Sequence, residues 1–363
     1  MVKEIRIAVV GLHNWYHAYP FGLATKHVPG AKLVAAAHDD AAQLKEYADY
    51  FGLKQYSTDM ESVISRKDVD AVILTANTSA HARLAKTACE EGKHILCDKP
   101  LEASLQKAHE MRRCVEKASV KFEIAFGFRN EPDFRKTIEI ADSGAIGEVV
   151  NFYFSVNSPI PGGWITTREP GWYAEKQKSG GGGFLDHAVS EFDGLRFAVK
   201  KEAKRVSGMV GNLIYKKMNV EDYGAASVEF SDNLKGIVQA SWIAVPPAGY
   251  SETYSLYGTE GNVALIGEKI LLNGKILKGV LGKAEISLSP ATFETFRAIP
   301  GLVEYPIDEW YQLLLSFIKG IQEDENPPQT INDGLRSLEL CLATYESHRT
   351  QRTVDISEFG KTK

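Results

Sequence analysis

The sequence predicts a two-domain α/β protein: an N-terminal doubly wound parallel sheet, then an α/β domain with a large, mostly antiparallel, open-faced sheet. Three observations predict it. The 363 residues exceed one ordinary domain of roughly 150 residues and fall short of three. The first 126 residues alternate short apolar runs with helical stretches. After about Phe128, long strand-like segments follow one another with few helices between them.

In the first domain, assigned to residues 1–126, the predicted strands are Ile5–Val10, Lys32–Ala37, Ala71–Leu74, His94–Cys97 and Phe122–Phe126. Helical patterns at Ala41–Phe51, His81–Glu91 and Leu105–Ala118 separate them, which implies right-handed βαβ units. The near-continuous apolarity of the first strand fits a sheet buried on both faces. The second domain, 127–363, opens with a helix from Pro132 to Ser143 that ends at Gly144, a residue suited to the position after a helix. Strands are expected at Gly147–Val156, Arg205–Leu213, Ala225–Phe230, Gly236–Trp242, Thr253–Tyr257 and Asn262–Ile266. Turn residues such as Ser231-Asp232-Asn233 join several of them. Helices at Asp308–Gln322 and Asp333–Arg349 flank a Pro327-Pro328 break. Few helices on a large sheet leave a face for a second subunit, so a homodimer or homotetramer is expected.

Composition excludes several classes. Apolar residues are 44% and charged residues 25%, which rules out a disordered chain or a fibre. Forty-two basic and 47 acidic residues give a net charge of −5, with no basic patch for nucleic acid. No apolar run approaches the ~18 residues of a membrane span. The start, Val2–Arg6, runs into a strand pattern without a signal core, and the four cysteines lack CxxC or secreted spacing; both point to a cytoplasmic protein with reduced thiols.

Three segments can carry chemistry. The first is the turn after strand one, Gly11-Leu12-His13-Asn14-Trp15-Tyr16-His17. A dinucleotide fingerprint, GxGxxG, needs its second glycine for the pyrophosphate and its third for helix packing; here His13 and Tyr16 stand there. Pro20 suits the first turn of a delayed helix that receives an anion. His13 and His17 lie four apart, but no third ligand is near and no metal is assigned. Asp39, after the second strand, suits an adenosine ribose and would favour NAD; a helix N-cap is the alternative. The second segment is Cys97-Asp98-Lys99-Pro100-Leu101, at the carboxyl end of a strand, where open sheets bind ligands. Lys99 there can hydrogen-bond a substrate hydroxyl, or be an ordinary surface lysine. The third is Ser179–Asp193, four glycines abutting a helix whose Leu185, Val189, Phe192 and Leu195 face inward. The glycines let backbone approach a ligand, and the helix start presents Asp186 and His187.

Taken together, these segments resemble the glucose–fructose oxidoreductase/inositol dehydrogenase/MocA (Gfo/Idh/MocA) family over nearly the whole chain. Asp70-Ala71-Val72-Ile73-Leu74-Thr75, His81-Ala82 and Gly92–Pro100 follow its iDaVxIxT and "Ha…GkhVlxEKP" stretches. Phe128-Arg129, Pro132, Gly144–Val149, Gly258 and Gly261 match its second domain. Trp172, Gly180–Gly182, Asp186 and Asp193 match "W…GGGxxxDxGxHxxD".

The resemblance implies a Rossmann domain and NAD(P)-dependent oxidation or reduction of a sugar, polyol or related hydroxy compound. On it, Gly11, His13, Asn14, Asp39, Thr75, Asn77, His81 and Lys99 form the cofactor set, with NAD favoured over NADP. Lys99 takes the place of the family lysine that contacts the nicotinamide ribose and the reacting hydroxyl, and Asp186 that of the aspartate that positions the substrate. Lys99, Trp172, Tyr173, Asp186 and Ser190 form the substrate set. The family's acid–base histidine is Ser190 here, whose hydroxyl is too weak an acid and base to replace imidazole. His187, three residues earlier on the same helical side, is expected to take over that role beside Lys99 and Asp186, with Tyr173, in the loop beside Trp172, as a second candidate. Loss of the motif histidine leaves open a dinucleotide- or sugar-binding sensor without catalysis, and the His13/Tyr16 turn also permits a protein that binds no dinucleotide.

Overall fold

A computed structural model describes residues 4–163, 169–245, 248–277, 287–288 and 305–360. Residues 164–168 and 246–247, within the loops Ser158–Lys178 and Pro246–Thr253 expected to select the substrate, lie outside the described residues, as do Val2 and Lys3. The first half runs β1 Ile5–Val10, α1 Trp15–Ala24, β2 Ala31–Ala37, α2 Ala41–Phe51, β3 Tyr56–Ser57, α3 Met60–Ile64, β4 Ala71–Leu74, α4 His81–Glu90, β5 His94–Cys97, α5 Leu105–Ala118 and β6 Phe122–Ile124. All pairings are parallel, in the order β3-β2-β1-β4-β5-β6. The chain direction reverses its progress across the sheet between β1 and β4, the place where open sheets of this kind take ligands.

Successive residues of β1 enter two different cores. Ile5, Ile7 and Val9 pack on the side of Trp15, Tyr19 and Phe21, and Ala8 and Val10 on the side of Leu84, Ala88 and Met111. Each is fully buried, which is why the strand is apolar but for Arg6, whose guanidinium pairs with Asp70.

The second half continues with α6 Pro132–Asp142, β7 Val149–Asn157, α7 Lys176–Ser179, α8 Gly183–Val199, β8 Ala203–Gly211, β9 Tyr223–Phe230, β10 Lys235–Ser241, β11 Ser251–Gly258, β12 Asn262–Ile266, β13 Lys269–Leu272 and β14 Lys275–Ile276. After them come β15 Ser287–Leu288, β16 Tyr305–Pro306, α9 Asp308–Gln322, α10 Ile331–Thr350 and β17 Val354–Asp355. Nine strands form one sheet, β14-β13-β12-β11-β7-β10-β9-β8-β17, in which β7 and β10 are the parallel pair. Phe152, Phe154, Val228, Val238, Tyr254 and Leu256 point into the core with Phe184, Val189 and Phe192 of α8. The alternate residues Met209, Ile237, Tyr153, Tyr257 and Ile266 are exposed on the other face. Helix α9 returns to the first sheet, where Leu313, Leu314, Phe317 and Ile318 join the core of Trp15 and Phe21. No helix among the described residues is long and apolar enough to cross a membrane.

Three expectations are corrected. Helix α1 is not delayed: it begins at Trp15, and Pro20 lies inside it rather than in its first turn. Asp40, not Asp39, caps α2, accepting from the Ala42 and Gln43 amides at 2.9 Å. The short elements β3, α3, α7, β13, β14 and β17 fall below the length at which periodicity signals anything.

Candidate active site

The carboxyl end of β5 delivers Asp98 and Lys99 to the switch point. Asp98 is buried, and its carboxylate accepts from Asn14 Nδ2 at 2.6 Å and the Lys99 amide at 2.8 Å, with His17 Nδ1 at 2.6 Å. Burial alone would raise its pKa; His17 and Lys99 hold it below the usual carboxylate range. Asp98 therefore fastens the start of α1 to the end of β5. His17 is spent on that bond and His13 on Asp39, so the two are not brought together.

Lys99 is not a surface lysine. Its side chain is 14% exposed, and Nζ donates to Asp186 Oδ1 and to the Asp186 carbonyl, both at 2.8 Å. Burial works against its charge, but Asp186 and Asp98 outweigh it and raise its pKa. Asp186 Oδ2 accepts from Trp242 Nε1 at 3.1 Å and lies 3.4 Å from His187 Nε2. The same nitrogen is 2.7 Å from Ser158 Oγ, which donates to the Pro159 carbonyl at 3.0 Å. Burial raises the Asp186 carboxyl less than Lys99 and His187 lower it, so it is ionised. Burial lowers His187 to about 4, so it is neutral near pH 7. With Nε2–H directed at Ser158 and Asp186, Nδ1 keeps the lone pair of a base.

Helix α8 presents these groups, but its glycines serve a different purpose from the one expected. A Cβ on Gly182 would lie 1.9 Å from the Glu221 carbonyl oxygen, and one on Gly183 2.7 Å from the Trp242 amide. The close approach is to the protein's own backbone, not to a ligand. Gly182 rather than Asp186 is the helix N-cap, which leaves the Asp186 side chain for Lys99. Asp193, further along, is buried in a pair with Arg129 that ties α8 to the turn before α6. Trp172 and Tyr173 stack at 3.9 Å and pack with Val220 and Trp242 beside Asp186. Ser190 is half-buried on the same helix.

On the nucleotide side, Gly11 has φ +82°, and a Cβ there would lie 2.4 Å from Ala76 Cα, so this turn needs glycine. His38 Nδ1 accepts the Leu12 amide at 3.1 Å, and its Nε2 pairs with Gln43 at 2.8 Å. Burial pushes His38 down to about 4. Both His38 nitrogens are thereby used, although His13, His38 and Asp39 come together as metal ligands would. His13 Nε2 lies 3.4 Å from both Asp39 and Asn77, and its bond holds the Asp39 carboxyl at about 2.

Thr75 and His81, two members of the expected cofactor set, make bonds within the protein. Both are buried; Thr75 donates to the Gly11 carbonyl, and the His81 ring nitrogens face the Pro100 and Ala76 carbonyls at 3.0 Å. They hold the turn and the Lys99 loop.

The remaining groups fit a dinucleotide. His13 Nδ1 and Asn14 Oδ1 are buried without a hydrogen-bond partner among the described residues, and no side chain caps α1. Its first amides would hold the phosphates, the acceptor Asn14 Oδ1 would take a hydroxyl or amide donor of the nucleotide, and Asp39 would hold the ribose.

Trp15 Nε1 and Tyr16 Oη both donate to the Gly162 carbonyl, at 3.2 and 3.1 Å, and Trp172 Nε1 to the His13 carbonyl at 2.9 Å. The positions without glycine are thus occupied by contacts to the second domain. Sequence reasoning did not assign Ser158 or Trp242. They become neighbours because Asn157 pairs with Ser241 at the parallel ends of β7 and β10, a register no local motif reveals.

Residues 5–126 match the family model for an oxidoreductase family with an NAD-binding Rossmann fold, and residues 134–264 that for the GFO/IDH/MocA C-terminal domain. The scyllo-inositol 2-dehydrogenase (NAD(+)) of Bacillus subtilis (strain 168) is 27% identical over 361 residues, covering 98% of this chain and 97% of that protein. The myo-inositol 2-dehydrogenase of Thermotoga maritima is 25% identical, covering 98% and 99%. Among solved structures, an oxidoreductase domain protein from Kribbella flavida superposes with a TM-score of 0.82 at 20% identity, covering 98% and 99%. The chain belongs to the Gfo/Idh/MocA family of NAD(P)-dependent oxidoreductases.

Proposed function

We propose that the protein oxidises or reduces a CH–OH group of a sugar or polyol with NAD in preference to NADP, using Lys99, Asp186 and His187. The observation that carries this reading is the chain Lys99–Asp186–His187–Ser158 at the mouth of the switch point. Two of the three Lys99 N–H groups go to Asp186, and the third is left to hold the substrate oxygen and favour its alkoxide. Neutral His187 takes the hydroxyl proton at Nδ1, and Asp186 stabilises the imidazolium that forms. When bound, the nicotinamide supplies the hydride acceptor. The Asp39 carboxylate, 62% exposed, supports NAD, because a 2′-phosphate would be repelled there. We assign cofactor binding to residues 1–126 and substrate binding and assembly to 127–363, with a homodimer or homotetramer forming through the exposed sheet face. We assign it to the cytoplasm, a reading its cysteine usage supports.

The test is a thermal-shift titration with NAD, NADH, NADP and NADPH, followed by a sugar and polyol turnover screen with the dinucleotide that binds. NAD or NADH at a hundredfold its Kd is expected to stabilise by about 2.7 kcal/mol. His187→Ala is expected to lower kcat by about 10²–10³-fold with a smaller change in KM. Full turnover in that variant refutes the assignment. A second reading, a dinucleotide-binding sensor, is favoured by Ser190 in place of the motif histidine; it predicts binding without turnover on any substrate.

A further inference from the structure

Beyond Lys99 and His187 the site is bounded by four carboxyl groups from four elements. Glu191 stands one helical turn after His187 on the same side of α8. Glu252 comes from β11, Glu131 immediately precedes α6, and Glu309 lies in the first turn of α9. Glu309 is pressed over Gly127, where a Cβ would fall 1.5 Å from its carboxylate oxygen. The Tyr254 hydroxyl lies 2.9 Å from Glu252 Oε2 and 3.3 Å from Glu191 Oε1, and its single proton can serve only one of them. Glu191 is 3% exposed, and its Oε2 has no hydrogen-bond partner among the described residues.

Among the described residues this cluster has no counter-charge of its own. The basic side chains among them within electrostatic reach are Lys99 and His17, already paired with Asp186 and Asp98. Burial first, and mutual repulsion second, push Glu131 and Glu191 well above the usual carboxylate range, and burial raises Glu252 and Glu309 as well. Burial thus holds these groups back from ionising, and a cation brought against them would favour their charged form and offset that cost. The four do not converge as metal ligands: among the described residues only His13, His38 and Asp39 do. An alkylammonium group brings one charge and three N–H donors, and suits a looser ring of oxygens.

We propose that the substrate is a polyhydroxylated compound bearing a protonated amino group, an amino sugar or amino polyol, whose ammonium lies against Glu191 and Glu252 while its reacting hydroxyl meets Lys99 and His187. This rests on the reading of Lys99 and His187 as the reacting end. Glu131 and Glu309 surround the same charge and make an anionic substituent at that end unfavourable.

The experiment compares matched pairs on the full chain with saturating dinucleotide: glucosamine and glucose, glucamine and sorbitol, amino-deoxy-inositol and inositol. Binding is followed by calorimetry and turnover by absorbance. At least one amino member is expected to exceed its hydroxy partner by tenfold or more in affinity and kcat/KM. Glu191→Gln and, separately, Glu252→Gln should bring that ratio towards one; the second, half-buried position serves if the first variant does not fold. Equal or better binding and turnover of the hydroxy member in every pair overturns the amine assignment while leaving the oxidoreductase reading intact. No preferential binding of any amino member overturns it as well. Preferential binding of an amino member without turnover of any compound supports the ammonium pocket and refutes the oxidoreductase reading.

Discussion

Acid should weaken this protein through His38, by an amount the structure sets. The His38 ring accepts the Leu12 amide at Nδ1, a bond that exists only while that nitrogen is unprotonated. Its side chain is 3% exposed, and burial lowers its pKa from 6.5 to about 4. Between those values the unfolded chain takes up a proton that the folded chain refuses, so stability falls as pH falls. At pH 4.5 the unfolded site lies two units below its pKa while the folded site is still mostly neutral. The stability lost relative to pH 7 is about 2.5 kcal/mol for this one residue. His38→Asn retains an acceptor near the Nδ1 position and removes the titration. Urea unfolding of both proteins at pH 7 and 4.5 gives the comparison; His187, also at about 4, contributes equally to both and cancels. The variant should lose about 2.5 kcal/mol less than wild type over that interval. Losses agreeing to within about 0.5 kcal/mol would show that His38 is already charged or already exposed in the folded protein, and the reasoning would fail.

Two further outcomes test the turn and the open sheet. Gly11→Ala combines a positive φ with a Cβ 2.4 Å from Ala76 Cα, and should lower stability by about 2–4 kcal/mol in denaturant unfolding; an unchanged midpoint would mean the turn is not held there. Tyr153→Lys together with Ile237→Lys, cross-strand neighbours on the exposed face, should turn an assembled protein into a 40 kDa species in sedimentation, and persistence of the larger species would place the contact elsewhere.

The legible part of the fold lies where periodicity is long. The alternation of runs such as Ile5–Val10 and Ala41–Phe51 is imposed by a sheet covered on both sides, so the order of elements can be read without pairing any of them. Pro20 misled because a proline is commoner at a helix start, whereas here the helix begins five residues earlier on the strength of Trp15 and Tyr19 packing. In the site, position alone left Lys99 an ordinary surface lysine at a strand end, and the family resemblance singled out Lys99 and Asp186, which the structure brings together with His187. Ser158, Trp242 and Glu252 were not legible, since each becomes a neighbour only through strand pairings or side-chain contacts between distant segments. The Gly180–Gly183 run shows the limit of reading glycine as room for a ligand, because backbone from the Glu221 and Trp242 segments fills that room.

Tyr16 stands where a smaller residue would ease the approach of phosphate, and its hydroxyl also accepts the Gly162 amide at 2.6 Å. One side chain thus serves two masters, nucleotide access and the join between the halves of the molecule. Restoring a conventional glycine there would widen the nucleotide berth and remove two of the three bonds that moor Gly162 among the described residues, leaving only that from Trp15. Affinity for cofactor and shape of the substrate chamber are consequently inherited together, and neither can be tuned at that position without moving the other.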